Sequence, residues 1–69
     1  MVEVFRTNVQ KKSESKKLLF TLQEIFPALS INFDLSDCDK VLRIQGDNIN
    51  TLQIMAHFRD FGYHCEPLE

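Results

Sequence analysis

Residues 29–36 alternate strictly between apolar and polar side chains. The apolar positions are Leu29, Ile31, Phe33 and Leu35, and the polar positions are Ser30, Asn32, Asp34 and Ser36. A period of two residues is typical of a β-strand with one face buried and the other in water. A second strand is predicted over residues 40–45, with Leu42 and Ile44 inward, and the intervening Asp37-Cys38-Asp39 favours a turn. The two runs therefore predict a β-hairpin.

A helical period precedes the hairpin, over residues 13–26. Its apolar side chains recur at helical spacing and form one stripe, which consists of Leu18, Leu19, Leu22, Ile25 and Phe26. Ser13 is the predicted N-cap, because its side-chain oxygen can accept a hydrogen bond from the first turn. Pro27 ends the helix, since it has no backbone N–H to continue the hydrogen-bond ladder.

A second helix is predicted after the hairpin, where Gly46-Asp47-Asn48 interrupts the strand. Asn50 is its predicted N-cap, and Gln53 three residues later completes a capping-box pattern. The apolar stripe of this helix consists of Ile54, Met55, Phe58 and Phe61. Gly62 follows at a position where a left-handed residue commonly ends a helix.

The first strand is predicted over residues 2–9, and its pattern permits two registers. In one of them Phe5 and Val9 face the core, and in the other Val2 and Val4 do so. We expect the first register, which places Phe5 and Val9 inward.

A short last strand over residues 63–66 completes six elements in the order βαββαβ. Pro67 suits an edge position, because an edge strand need not donate every backbone N–H. Right-handed crossovers place both helices on one sheet face, so residues 1–69 are predicted to form a single α+β domain. The expected fold is a ferredoxin-like two-layer sandwich with an antiparallel sheet of order 4-1-3-2. In this topology the loop after the first strand, the hairpin turn and the loop before the last strand would meet at one end of the molecule.

The composition argues against several classes of function. The chain has 69 residues and a formal net charge of −2, whereas nucleic-acid binders are usually basic. The open sheet face is predicted to carry Val4, Arg6, Ser30, Asn32, Asp34, Val41, Arg43 and Gln45. It has no aromatic side chain on which a base could stack, so this face is expected to be solvated or a weak docking surface. We expect a cytoplasmic protein that contacts neither nucleic acid nor membrane, with no catalytic residues and no cofactor.

Four lysines surround the start of the first helix, namely Lys11, Lys12, Lys16 and Lys17. Cations at this position oppose the helix dipole, at an expected cost of about 0.3–1 kcal/mol each when exposed. One interpretation is a solvated charged turn. The other is a patch for an anionic ligand or an acidic protein partner, since helix N–H groups and ammonium groups converge there.

Cys65 and His64 are weak candidates for metal ligands. Neighbouring residues in a strand point to opposite faces, and zinc prefers four ligands at recognised spacing. Cys38 and Cys65 are expected on different sides of the sheet, too far apart for a disulfide. The sequence therefore predicts no metal site formed by Cys65 and His64.

Three stretches, residues 5–9, 33–46 and 58–63, resemble the heavy-metal-associated domain, the fold of small copper chaperones and of the N-terminal domains of metal-pumping ATPases. In that family a Met-x-Cys-x-x-Cys loop holds Cu(I) through two thiolates. Here the corresponding run is Val9-Gln10-Lys11-Lys12-Ser13-Glu14, so lysine and glutamate stand where the cysteines belong. The resemblance thus implies the fold of a degenerate member and not ordinary metal transfer.

These observations favour a small non-enzymatic interaction module whose protein or anionic ligand binds at the end formed by residues 11–17. A non-standard copper or zinc carrier that uses Cys65 and His64 is the second hypothesis. A small-molecule regulatory domain of the same topology is the third.

Overall fold

The computed structural model describes residues 1–36 and 38–68 and contains six elements. These are β1 (Val2–Thr7), α1 (Lys12–Ile25), β2 (Ser30–Asp34), β3 (Val41–Gln45), α2 (Thr51–Asp60) and β4 (Cys65–Pro67). Their types and order match the βαββαβ prediction. Most predicted bounds are longer than the observed ones by one or two residues at an end. Asp37, part of the predicted hairpin turn, lies outside the described residues.

The four strands form one antiparallel sheet in the order β2-β3-β1-β4. This is the predicted order 4-1-3-2 read from the opposite edge. Phe5 on β1 pairs with Leu42 on β3, and Thr7 pairs with Cys65 on β4. The resulting α+β architecture is compatible with a ferredoxin-like fold, and β1 lies inside the sheet with a partner on each side.

The core lies between the sheet and the two helices. Its buried side chains are Phe5, Val9, Leu18, Leu22, Leu29, Ile31, Leu42, Ile44, Ile54, Phe58 and Cys65. The alternating run over residues 29–36 supplies Leu29 and Ile31, and the stripes of the two helices supply Leu18, Leu22, Ile54 and Phe58, as predicted. Phe5, Thr7 and Val9 are buried, whereas Val2 is exposed, so the preferred register of the first strand is confirmed.

The start of α1 differs from the prediction that Ser13 is the N-cap. The helix begins at Lys12, and Lys11 occupies the N-cap with an extended backbone. Lysine has no side-chain acceptor, so it cannot cap the first turn itself. Instead the Glu14 carboxylate accepts a hydrogen bond of 3.4 Å from the Lys11 backbone N–H. Glu14 thus fixes the helix start, and Ser13 lies exposed within the first turn.

The predicted N-cap Asn50 and the predicted left-handed Gly62 are both found at the ends of α2. The side-chain oxygen of Asn50 accepts a hydrogen bond of 3.1 Å from the backbone N–H of Gln53. At the other end Gly62 has φ +86°, a conformation that residues with a Cβ rarely adopt. The N–H of Tyr63 donates to the carbonyl of Phe58 at 2.9 Å, and the N–H of Gly62 donates at 2.9 Å to the carbonyl three residues earlier. Both bonds belong to a Schellman motif.

Three apolar side chains differ from the predicted pattern. Ile25 is 54% exposed beside a shallow cleft, which α2 lines with Gln53, Ala56, His57 and Asp60. Phe61 is 42% exposed and lies edge-on to the His57 ring at 5.0 Å, beyond the last turn of α2. Val41 belongs to the open sheet face but is only 3% exposed, although Arg43 on the same face of β3 is exposed. That part of the open face is therefore not solvated.

Candidate functional site

Hydrogen bonds join three connections at one end of the molecule. The Thr7 N–H donates to the carbonyl of Asp39 at 3.1 Å, and the Thr7 hydroxyl donates to the carbonyl of Lys40 at 2.6 Å. The His64 N–H donates to the Asn8 side-chain oxygen at 2.7 Å. The loop after β1, the hairpin and the loop before β4 therefore meet at this end, as the topology predicted.

The first turn of α1 lies at this end and is tied to the loop before β4. The Glu14 carboxylate both accepts from the Lys11 N–H and forms a hydrogen bond with the Tyr63 hydroxyl. Partial removal from water raises the pKa of Tyr63, and the hydrogen bond and charge of Glu14 raise it further. Glu14 is therefore committed to two contacts inside the protein.

Residues 11–17, called here the basic segment, carry most of the positive charge of this end. Four lysines and one glutamate give the segment a formal charge of +3, whereas the whole chain has −2, so the remainder has −5. All four lysines are exposed. Within residues 1–36 and 38–68, no carboxylate lies within ion-pair distance of their ammonium groups. The four predicted lysines are thus exposed around the start of α1.

Two clefts flank the basic segment. The α1–β2 cleft has a volume of about 400 Å³ and is lined by Gln10, Lys12, Ser15, Phe33 and Leu35. The α1–Tyr63 cleft has a volume of about 270 Å³ and is lined by Glu14, Lys17, Leu18, Phe61 and Tyr63. Each cleft therefore combines apolar side chains with one lysine from the basic segment.

The structure places Cys65 and His64 in different surroundings. Cys65 is 4% exposed and belongs to the core cluster, and burial together with the charge of Glu66 raises the pKa of its thiol to about 12. His64 is exposed, and its Nε2 lies 3.3 Å from a Glu66 carboxylate oxygen. Among the described residues, no group of three or more His, Cys, Asp or Glu side chains is arranged to hold a metal ion. The two candidate ligands do not converge.

Sequence reasoning missed a chain of charges on the open sheet face. Arg6 lies 3.6 Å from Asp39 in the hairpin and 3.3 Å from Glu66 on β4, which also contacts His64. The predicted strand order already placed the first strand beside the last, so the Arg6 and Glu66 pair could have been found by pairing their alternating positions. These charges are exposed and connect three segments at the same end as the basic segment.

A contact between the two helices was also missed. The Thr21 hydroxyl oxygen lies 2.9 Å from His57 Nε2, and the residues are separated by 36 positions in the chain. No local pattern marks such a pair. It connects the helices between the α1–Tyr63 cleft and the shallow cleft beside Ile25.

The fold and this surface define a small α+β domain with one basic, partly apolar end. No family model matches the chain, and neither a curated protein nor a solved structure matches it. In the described part of the chain, no helix is long and apolar enough to cross a membrane.

Proposed function

We propose that this protein is a small non-enzymatic interaction module with a ferredoxin-like fold, which binds an acidic protein segment through its basic segment. The observation that carries this proposal is the set of four exposed lysines, which form no ion pair with another described residue and are flanked by two clefts that contain apolar side chains. The resemblance to the heavy-metal-associated domain supports a degenerate member of that family in which the former metal loop has become a contact surface.

The charge distribution favours an acidic partner. The basic segment has a formal charge of +3, whereas the whole chain has −2, so positive charge is concentrated at this end of the molecule. This uneven distribution orients a negatively charged partner toward the basic segment. Such attraction acts between exposed groups, so it weakens as the Debye length falls to about 8 Å at physiological salt. Apolar side chains in the flanking clefts supply contacts that salt does not screen.

The alternative proposal is a copper or zinc carrier, which requires the buried Cys65 thiol to become accessible. Metal binding by cysteine requires the thiolate, and the buried Cys65 thiol has its pKa raised to about 12. Cys65 would have to leave the core and rotate toward His64. Lys11 and Glu14, which stand where the family has cysteines, are already used at the start of α1.

The proposal is tested by NMR titration of the folded protein with an acidic peptide at about 20 mM and about 150 mM NaCl. We expect saturable shifts in residues 11–17 and 61–65 that weaken at the higher salt. The variant Lys16→Glu, Lys17→Glu should lose binding. The matched control Arg43→Glu, Arg59→Glu changes the net charge equally, elsewhere on the surface, and should retain most of it.

Equal weakening by both double variants would mean that only net charge matters and would contradict a defined site. No saturable shifts in the wild-type protein at low salt would overturn the proposal. Cu(I) titration of the same sample tests the alternative, which predicts a one-to-one complex that is lost in Cys65→Ser.

A further inference from the structure

Phe33 and Leu35 form the apolar floor of the α1–β2 cleft, and each of them is fixed by a contact with a neighbouring residue. The Phe33 ring packs against the buried Phe58 ring with centroids 6.0 Å apart, and the Lys40 ammonium donates to the carbonyl of Leu35 at 3.2 Å. Phe33 and Leu35 nevertheless remain only partly buried. On the α1 side the cleft meets Ser15, whose small side chain is turned back to its own helix through a bond of 2.7 Å to the carbonyl of Lys12. The cleft thus stays open above a fixed apolar surface.

The charges distinguish this cleft from its neighbour. Lys12 is the one ionisable side chain among the described residues that line the α1–β2 cleft. The α1–Tyr63 cleft contains Glu14, which would repel a carboxylate, as well as Lys17. An anionic segment with an apolar side chain is therefore complementary to the α1–β2 cleft in both charge and polarity.

We infer that the α1–β2 cleft is the specificity pocket of the interaction: it receives one bulky apolar side chain of the partner's acidic segment, while an adjacent carboxylate pairs with Lys12. This inference rests on the proposed function and adds the chemistry of the partner. The cleft volume of about 400 Å³ accommodates a phenylalanine or leucine side chain. Because its floor is already ordered, little conformational freedom is lost when the side chain enters.

The test compares two acetylated and amidated pentapeptides, Asp-Glu-Phe-Glu-Asp and Asp-Glu-Ala-Glu-Asp, which carry the same charge. Burial of the phenylalanine ring should make the first bind about tenfold more tightly to the wild-type protein. Leu35→Ser should reduce this ratio to about twofold or less. The matched control Leu52→Ser, at a position 77% exposed on α2, should leave the ratio unchanged.

An independent measurement avoids reliance on the Leu35 variant, whose side chain also packs against the core. Intermolecular NOEs should connect the peptide phenylalanine ring with the Leu35 methyl groups and the Phe33 ring of the wild-type protein. Equal affinity of the two peptides, or NOEs to Phe61 and Tyr63 instead, would overturn the specificity pocket and leave the proposed function standing. Failure of both peptides to bind would overturn the proposed function, and the pocket with it.

Discussion

The Thr21 hydroxyl on α1 accepts a hydrogen bond from His57 on α2, with the two atoms 2.9 Å apart. Its role as acceptor follows from its other contacts, because the same hydroxyl lies 3.1 Å from the carbonyl oxygens of both Lys17 and Leu18 and donates its proton there. The neutral His57 ring therefore carries its hydrogen on Nε2. Nδ1 is the nitrogen that takes up a second proton.

Protonation of His57 should destabilise the fold. Removal from water lowers the pKa of His57 from its ordinary value of 6.5, and the charge of Asp60 offsets this only in part. The unfolded chain therefore binds the proton more readily, so the free energy of unfolding should fall as pH decreases from about 7 through the lowered folded-state pKa. Urea unfolding of the wild type and His57→Gln should show a smaller decrease in the variant over this range. Identical pH profiles, or an NMR titration of His57 with a pKa above 6.5, would contradict this interpretation.

Truncation of either central core residue should bring the domain close to unfolding. Leu22 and Phe58 are fully buried on the two helices. Their replacement by alanine should lower the free energy of unfolding by about 2–5 kcal/mol, compared with a total of roughly 3–10 kcal/mol for so small a domain. Phe20→Ala is the control, because this side chain is exposed, and it should change the value by less than about 0.5 kcal/mol. Urea midpoints that barely move in both core variants would show that the stripes are assigned wrongly.

Lys11→Ser should stabilise the protein and weaken its binding. The N-cap Lys11 has no side-chain acceptor, whereas serine can accept a hydrogen bond from the first turn and add about 0.5–2 kcal/mol to the free energy of unfolding. Lys16→Ser removes the same charge within the helix and should not stabilise it. Both variants should bind an acidic peptide more weakly. A decrease in stability for Lys11→Ser would mean that the side chain has a structural role at the helix start.

The two cysteines should differ sharply in reactivity. Cys38 is exposed, whereas Cys65 is buried with its thiol pKa raised to about 12. Iodoacetamide at about pH 8 should therefore alkylate Cys38 first and reach Cys65 only when the domain opens, because the thiolate is the reactive form. Peptide mapping by mass spectrometry follows each site, and both should react at similar rates in about 8 M urea. Rapid alkylation of Cys65 in the native protein would show that it is accessible and would revive the metal-carrier alternative.

Most of the architecture was accessible from local patterns. The alternation from Leu29 to Leu35 determined one face of β2, and right-handed crossovers then permitted few sheet orders. The helix start was predicted wrongly at Ser13, because serine has the side-chain acceptor of an N-cap and lysine does not. The contact of Glu14 with Lys11 spans only three residues, whereas its contact with Tyr63 depends on tertiary structure. Ile25 likewise has the spacing of a core residue, but it is 54% exposed because it borders a shallow cleft between the two helices.

The candidate site could be predicted only in part. The lysines of the basic segment were visible as a charge cluster in the sequence. The clefts beside them were not, because Lys12 meets Phe33 and Leu35 only after α1 packs across the hairpin. The open sheet face is also less solvated than the alternation predicted, because Val41 on this face is only 3% exposed.

The inner position of β1 has a consequence for the order of folding. Phe5, near the start of the chain, pairs with Leu42 on one side and with Pro67 on the other. Because these partners are so distant in sequence, β1 cannot find either of them while only the first helix has been synthesised, and closing such long loops slows folding. A nascent chain released before Cys65 would leave one edge of β1 unpaired, and such an edge is available to another chain. Pairing with β4 therefore covers an edge of β1 that would otherwise be open to another chain.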